Sequence, residues 1–314
     1  MFSKYEYVYQ LYKEGSFTKA AQKLFISQPS LSAAIKNIEK RVGAEIFERT
    51  GKVVKLTEVG EEYIAAVEQI IKVENEFKHK INDIYNIDNG QITIGATNHI
   101  SSYVLPQIIN RYTSLHPNID VTLVEANSNN LRDMAKKDEI DIFIDSFDDV
   151  VDEYKIHSLT NEKILICVPK NNKINDKLKE FQILPDSIYN NSIDLNSVKS
   201  VSIEIFKNEK FILLKNGNDM RTRAMHIFHE NNIEPKAIFN VDQLNISYAL
   251  VDLGMGVSFI TDTFLKYGNL SKNVVLYDFG KEHSNRNLCV AHRRNKYCTR
   301  AMGEFISVAK EVIR

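Results

Sequence analysis

Residues 16–41, SFTKAAQKLFISQPSLSAAIKNIEKR, carry two short apolar patterns of helical period with only the break FIS between them. Phe17, Ala20, Ala21 and Leu24 form one inward face, and Leu31, Ile35, Ile38 and Val42 form the other. Ser16 and Ser27 stand at the two helix starts as caps, and Pro29 falls in the first turn of the second helix, where its missing N–H costs little. Ala20 and Ala21 are small enough to let the helices cross closely, and a connecting turn of about four residues is what a helix-turn-helix requires.

The second helix points Gln28, Pro29, Ser32, Ala33, Lys36 and Lys40 away from its apolar face. Small side chains there let a helix enter a major groove, where Gln28 and Ser32 can read base edges and Lys36 can meet phosphate or a guanine edge. A solvated helical hairpin has the same amphipathic pattern, so the residues that follow decide between the two. Gly43 reads as a helix stop, KVVKLT alternates as a short strand, and Arg49, Lys52 and Lys55 surround a tight turn at Thr50-Gly51. This is a basic hairpin, or wing.

Taken in order, Ser16-Phe17 with Ala20-Ala21, then SQPSLS, IKNIEKRVG, IFER, and KLT followed by Gly60, resemble the N-terminal winged helix-turn-helix of LysR-type transcriptional regulators. The resemblance runs through about sixty residues in the right order, which makes it far more specific than a single motif. Ile46 stands where the family usually has Leu, and Lys52 where an Arg is common. The resemblance implies double-stranded promoter DNA as a partner, with Thr18, Ser27, Gln28, Pro29, Ser30, Ser32, Lys36, Arg49 and Lys52 as the candidate DNA-binding residues.

Charge is distributed accordingly. The formal net charge is −1, but residues 1–60 hold ten Lys and Arg against six Asp and Glu, while the remainder holds 30 against 35. A length of 314 residues favours two or three domains. The longest apolar runs, such as EKILICVPK and GVSFITDTFL, fall well short of the roughly 20 residues of a membrane span, and MFSKYEYVYQ lacks the apolar region of a secretory signal. No membrane association and a cytoplasmic location are expected. Cys167, Cys289 and Cys298 are scattered, without CxxC spacing, so neither a disulfide framework nor a zinc cage is indicated.

From Thr57, TEVGEEYIAAVEQIIKVENEFKHKINDIYNID reads as one long helix. Tyr63, Val67, Ile70, Val73, Phe77, Ile81 and Ile84 follow one another at spacings of three and four, a seam that either packs on its own domain or meets a partner helix. The resemblance favours a dimerising linker, and reading of paired DNA half-sites needs such a dimer.

The pattern changes at NIDNGQITIGAT. A turn at Asn89-Gly90 precedes the strand ITIGAT, a helix opening near Leu105-Pro106, the strand DVTLVEAN, a helix containing LRDMAKK and the strand IDIFID. This βαβαβ order is followed by EKILICVPK, KFILLKNG, the helix DMRTRAMHIFHEN, KAIFNV, the helix QLNISYALVDLG and GVSFIT. Such alternation predicts two open α/β lobes on largely parallel sheets, with a ligand cleft at the strand ends between them. The C-terminal part of LysR-type regulators resembles a periplasmic solute-binding fold, and Leu105-Pro106, DLGMGVSFIT and the NG..MR stretch fit that pattern. The segment 170–210 is longer than the connection expected there.

Strand ends name the candidate effector-binding residues: Thr97, Asn98, His99, Ser101, Ser102, Asn127, Ser128, Gly217, Gln243 and Thr261. All are uncharged donors or acceptors except His99, which can add a pH-dependent positive charge, and helix starts near Ser102 and Gln243 offer N–H groups to an anion. The expected ligand is a small organic anion held without a buried fixed charge. Each residue taken singly is also compatible with an ordinary loop cap.

His226 and His229 lie three apart on a helix, but no further metal ligand is evident beside them except Glu230, and no metal or cofactor is expected. There is no GxSxG elbow, HExxH motif or phosphate-binding glycine loop, so no catalytic residue is assigned. A solute-binding protein would account only for residues 90–314 and an enzyme for less, whereas a ligand-responsive regulator accounts for every segment.

The expected organisation is therefore α/β: a winged helix-turn-helix over 1–59, a linker helix over 60–88, and a two-lobed effector-binding domain over 89–314. Lobe I is placed at about 89–163 and 266–314, and lobe II at about 164–265. The resemblance further implies a homodimer or homotetramer on promoter DNA that answers a small-molecule effector and contacts RNA polymerase. Salt-dependent binding to duplex DNA separates this reading from the other two.

Overall fold

The computed structural model describes residues 4–48, 54–84, 90–147, 151–268, 271–280 and 284–313. It divides into two units, Met1–Ile81 and Asn82–Arg314.

In the first unit a helix not foreseen from sequence, α1 (Tyr5–Glu14), precedes α2 (Phe17–Lys23) and α3 (Gln28–Val42). Ala20, Ala21, Leu31, Ile35 and Ile38 are buried with Val8 and Leu11 of α1, and Phe17, Leu24 and Val42 pack against that core. The Ser27 hydroxyl caps α3 by accepting from Ser30 N at 3.3 Å. Ser16 occupies the cap position of α2 in extended conformation, without a side-chain hydrogen bond. Gly43 ends α3 at φ 87°, in the left-handed region that glycine enters without strain. The buried Glu39 carboxylate then accepts from Ile46 N at 3.0 Å, which ties α3 to the short antiparallel pair β1 (Phe47–Glu48) and β2 (Lys55–Leu56). Arg49, Lys52 and the Thr50-Gly51 turn lie outside the described residues.

Helix α4 (Glu58–Ile84) runs for 27 residues. The Thr57 hydroxyl accepts from Gly60 N at 3.0 Å and donates to Glu45 O at 2.6 Å, fixing the start of the helix. Gly60 is required by proximity, because a Cβ there would lie 2.1 Å from Ile46 O. The seam divides along its length. Tyr63, Ile64 and Val67 are buried in the helix-turn-helix core, whereas Val73 and Phe77 are 65% and 64% exposed.

The second unit begins β3 (Gly90–Ala96), a π-helical turn at Ile100–Val104, α5 (Leu105–Leu115), β4 (Ile119–Glu125), α6 (Ser128–Lys136) and β5 (Ile142–Phe147), the anticipated βαβαβ order. Strands β4 and β5 both lie parallel to β3. The chain then crosses to the second lobe along β6 (Tyr154–Pro169), which is followed by α7 (Pro185–Tyr189), β7 (Lys210–Leu214), α8 (Asp219–Glu230), β8 (Lys236–Val241), α9 (Leu244–Asp252), β9 (Ser258–Thr261), α10 (Asp262–Tyr267) and β10 (Val274–Tyr277). It returns along β11 (Asn285–Arg293) and closes with α11 (Arg300–Val312) on the first lobe.

Two expectations are corrected here. The sheets are mixed and not largely parallel: β7 and β8 are parallel, but β11 is antiparallel to β5 and β6, and β9 and β10 are antiparallel to β6. The crossing strands run in opposite senses because the chain leaves lobe I on one and comes back on the other. The return also falls later than residue 266. Val274–Tyr277 pair with 166–169, and these residues and Phe279 are buried in the lobe II core. The long 170–210 segment belongs to that lobe as well, with Leu178, Ile183, Ile188, Val201, Ile203 and Phe206 buried in the same core.

Candidate functional site

A cavity of about 250 Å³ opens between the lobes at the C-terminal ends of β3, β4, β5, β7 and β8. Strand ends converge there because backbone groups left unpaired beyond a sheet face the crevice between its covering helices. Six of the ten predicted effector residues line it: Thr97, Asn98, His99, Asn127, Ser128 and Gln243. Gly217 adjoins the lining at φ 93°, its carbonyl accepting from Asn129 N at 3.1 Å across the cleft.

Ser101, Ser102 and Thr261 are placed elsewhere. The Ser101 hydroxyl donates back to Ala96 O at 3.3 Å, Ser102 is exposed on the π-helical turn, and Thr261 is fully buried as the cap of α10, accepting from Phe264 N at 3.2 Å. The π-helical turn holds both serines ahead of the regular helix that starts at Leu105, and neither lines the opening.

The expectation of a site without buried fixed charge is overturned. Arg286, on the returning strand β11, is buried; its Nε donates to Glu162 Oε2 at 2.5 Å and its Nη1 to Asp219 Oδ2 at 2.8 Å. Asp219 opens α8 in lobe II, and its Oδ2 also accepts from Ser146 Oγ of lobe I at 2.7 Å and from Arg223 Nε at 2.6 Å. One carboxylate therefore holds a residue from each lobe and one from a crossing strand. Burial is the largest influence on the Glu162 and Asp219 carboxyls and pushes both up, but the Arg286 guanidinium, joined by the Thr261 hydrogen bond at Glu162 and by Arg223 and Ser146 at Asp219, outweighs it and both lie below the usual range. Burial also opposes the charge on Arg286, and the two carboxylates more than restore it.

The lobe I wall carries a different kind of group. Asp145, in the C-terminal half of β5, is 2% exposed and accepts from Ser128 Oγ at 3.1 Å through Oδ1. Its Oδ2 has no hydrogen-bond donor, the Arg132 guanidinium standing 3.6 Å away. Burial, and then the charge of Asp219, push the Asp145 carboxyl up to about 6 against the pull of Arg132, the Ser146 N–H and Arg286. His99 places Nδ1 3.3 Å from Thr97 Oγ1, and burial pushes its imidazole down to about 4, so the positive charge anticipated for it is absent at neutral pH. Buried Asn98 Oδ1 and His99 Nε2, like Asp145 Oδ2, have no hydrogen-bond partner. Glu125, Lys215 and Asp242 complete the charged lining, with Lys215 Nζ 2.7 Å from Asp242 Oδ2.

Sequence reasoning missed these charged residues. Asp145 lay within its reach, since it closes the strand-like run IDIFID and a ligand cleft lies at strand ends. Arg286 did not, because only the crossing of β6 and β11 brings it, paired with Glu162, to the cleft.

In the first unit, Thr18, Ser27, Gln28, Pro29, Ser30 and Lys36 are exposed and Ser32 is half-buried. Gln28 Nε2 donates to Ser32 Oγ at 2.9 Å, so the two anticipated base readers hold each other on the outward face of α3.

The chain matches the family model described as the LysR substrate binding domain over residues 86–314, and that of the bacterial regulatory helix-turn-helix protein, lysR family, over residues 2–61. It belongs to the LysR family of DNA-binding transcriptional regulators. An uncharacterized HTH-type transcriptional regulator of Bacillus subtilis, YcgK, is 25% identical over 313 residues, covering 98% of this chain and 94% of the relative. Among solved structures, a full-length OxyR variant from Pseudomonas aeruginosa matches with a TM-score of 0.65 at 20% identity, covering 98% of this chain and 97% of that one. Full-length CbnR complexed with its target DNA matches with a TM-score of 0.64 at 14% identity and the same coverage of both chains. These likenesses to solved structures carry the fold. The family is one of regulators, not of enzymes, and among the described residues no helix is long and apolar enough to cross a membrane.

Proposed function

We propose that this regulator reads promoter DNA with the outward face of α3 and answers a small effector held between the two lobes. The observation that carries the reading is that face itself: exposed Gln28, Pro29, Ser30 and Lys36 beside the Gln28–Ser32 pair, on a helix whose N-terminus is capped by Ser27. Arg49 and Lys52, outside the described residues, are assigned to phosphate contacts in the wing. Exposed Val73 and Phe77 on α4 support self-association as a dimer, or a dimer of dimers, placing two reading helices on paired half-sites. The protein acts in the cytoplasm and, through its bound promoter, on RNA polymerase.

The effector carries an anionic group. Its support is the start of α9, where Gln243 makes no side-chain cap, no acidic residue occupies the first turn, and Gln243 and Leu244 line the cavity. Binding shifts activity only insofar as the effector favours one assembly state over another. Fluorescence anisotropy of the full chain on duplexes from its own genomic neighbourhood tests the DNA reading. Expected are one or more fragments bound well above a scrambled duplex, with affinity falling steeply as salt rises. Equal binding to all duplexes would refute sequence reading by α3.

A further inference from the structure

The charged lining divides between the walls of the cavity. Lobe I supplies Asp145, a buried carboxylate that accepts one side-chain hydrogen bond and has Arg132 at 3.6 Å, together with the unpartnered Asn98 Oδ1, while Glu125 already accepts from Gln243 Nε2 at 3.5 Å. A carboxylate has room for about four donors, and a buried polar atom without a partner points to a group that completes it. Lobe II supplies the uncapped start of α9 and, in Lys215, a cation already paired with Asp242. Arg286 has no charge to spare for a ligand, because Glu162 and Asp219 both hold it. An anion alone would answer the α9 wall and leave Asp145 facing it with like charge.

We propose that the effector is an amino-carboxylate, its carboxylate at the start of α9 and its protonated amine donating to Asp145. Opposite charges on one small molecule meet opposite walls, and the ligand joins the lobes as the Asp219 carboxylate already does. The cavity sets its size: about 250 Å³, at the ~30 Å³ that one water occupies in the liquid, admits on the order of eight non-hydrogen atoms. The inference rests on the effector-cavity reading above and adds the cation to it.

The test is calorimetric titration and thermal shift on the full chain at pH 7.5. The probes are the standard α-amino acids, 4-aminobutyrate, and the carboxylate of each that lacks the amine. At least one amino-carboxylate is expected to bind and raise the melting temperature, with the amine-free partner binding about tenfold or more weakly, as a lost charge-assisted hydrogen bond requires. Asp145→Asn should remove that preference, leaving the two partners within about threefold of each other. The comparison of ligands on the unaltered protein stands even if the variant folds poorly. Carboxylates that bind as tightly with and without the amine would overturn the amino-carboxylate and leave the anionic effector in place. No binding by any amino-carboxylate would also overturn it. A ligand whose affinity is unmoved by both Asp145→Asn and Gln243→Asp, whose carboxylate would itself cap the N–H groups at the start of α9, binds elsewhere, and the cavity reading falls with it.

Discussion

Replacing Asp145 by Asn should stabilise the protein at neutral pH, although it removes a charged side chain from the cavity wall. Asp145 is 2% exposed, and burial together with the charge of Asp219 pushes its carboxyl from 3.8 up to about 6. A carboxyl raised in the folded state binds its proton more tightly there than in the unfolded chain. Its contribution is therefore intact below about pH 4, declines as pH rises toward 6, and is lost entirely above that. At about 1.4 kcal/mol per pH unit of displacement, ionising Asp145 in the folded state costs about 3 kcal/mol at pH 7.5. Asn keeps the acceptor for Ser128 Oγ and carries no charge to bury. The groups facing Asp145 are Arg132, Asp219, Arg286, the Ser146 N–H and the hydroxyl of Ser128, and the variant gives up the attraction of both guanidiniums, Arg132 at 3.6 Å foremost, along with the repulsion of Asp219. Asp262, also pushed up to about 6 by burial and by Glu162, titrates in the same window in both proteins and cancels in the difference. Calorimetric melting of wild type and Asp145→Asn at pH 4 and 7.5 should give equal temperatures at the lower pH. At the higher one the variant should gain on the order of 5–10 °C. A variant that melts below wild type at pH 7.5, or a difference that does not change with pH, would refute the claim that this carboxylate lacks adequate partners.

Arg286→Met leaves Glu162 and Asp219 in the interior without their cation and should cost about 3–5 kcal/mol in urea unfolding, against less than about 1 kcal/mol for Arg111→Ala, whose pairing with Glu311 at 3.5 Å is exposed. Similar losses for the two would show that the buried cluster is not the stronger element. Gln28→Ala and Ser32→Ala should each lose about 1–3 kcal/mol of discrimination between specific and scrambled duplexes. Because Gln28 Nε2 holds Ser32 Oγ at 2.9 Å, the double variant should lose less than the sum, a shortfall that a double-mutant cycle by anisotropy measures directly. Phe77→Glu, at a side chain 64% exposed in the single chain, should shift sedimentation velocity toward the monomer; an unchanged sedimentation coefficient would remove the α4 seam from the dimer interface.

Local order decided what the sequence could disclose by itself. Apolar spacing, the Ser27 cap, Pro29 in the first turn and the Gly43 stop act within a few residues of one another, and α2, α3 and the βαβαβ order follow from such short-range rules. Thr97, Asn98, Asn127 and Gln243 were legible for the same reason, since each stands just past a strand and a ligand cleft lies at strand ends. The tertiary structure alone decided the electrostatics of the site. Arg286 meets Glu162 across 124 positions of sequence and Asp219 across 67, and no periodicity carries a pairing of that length. A charged side chain in a strand reads as solvent-facing until the topology shows both faces covered. Here that happens because β6 and β11 cross between lobes side by side and turn Glu162 and Arg286 toward the interior, where each charge requires the other.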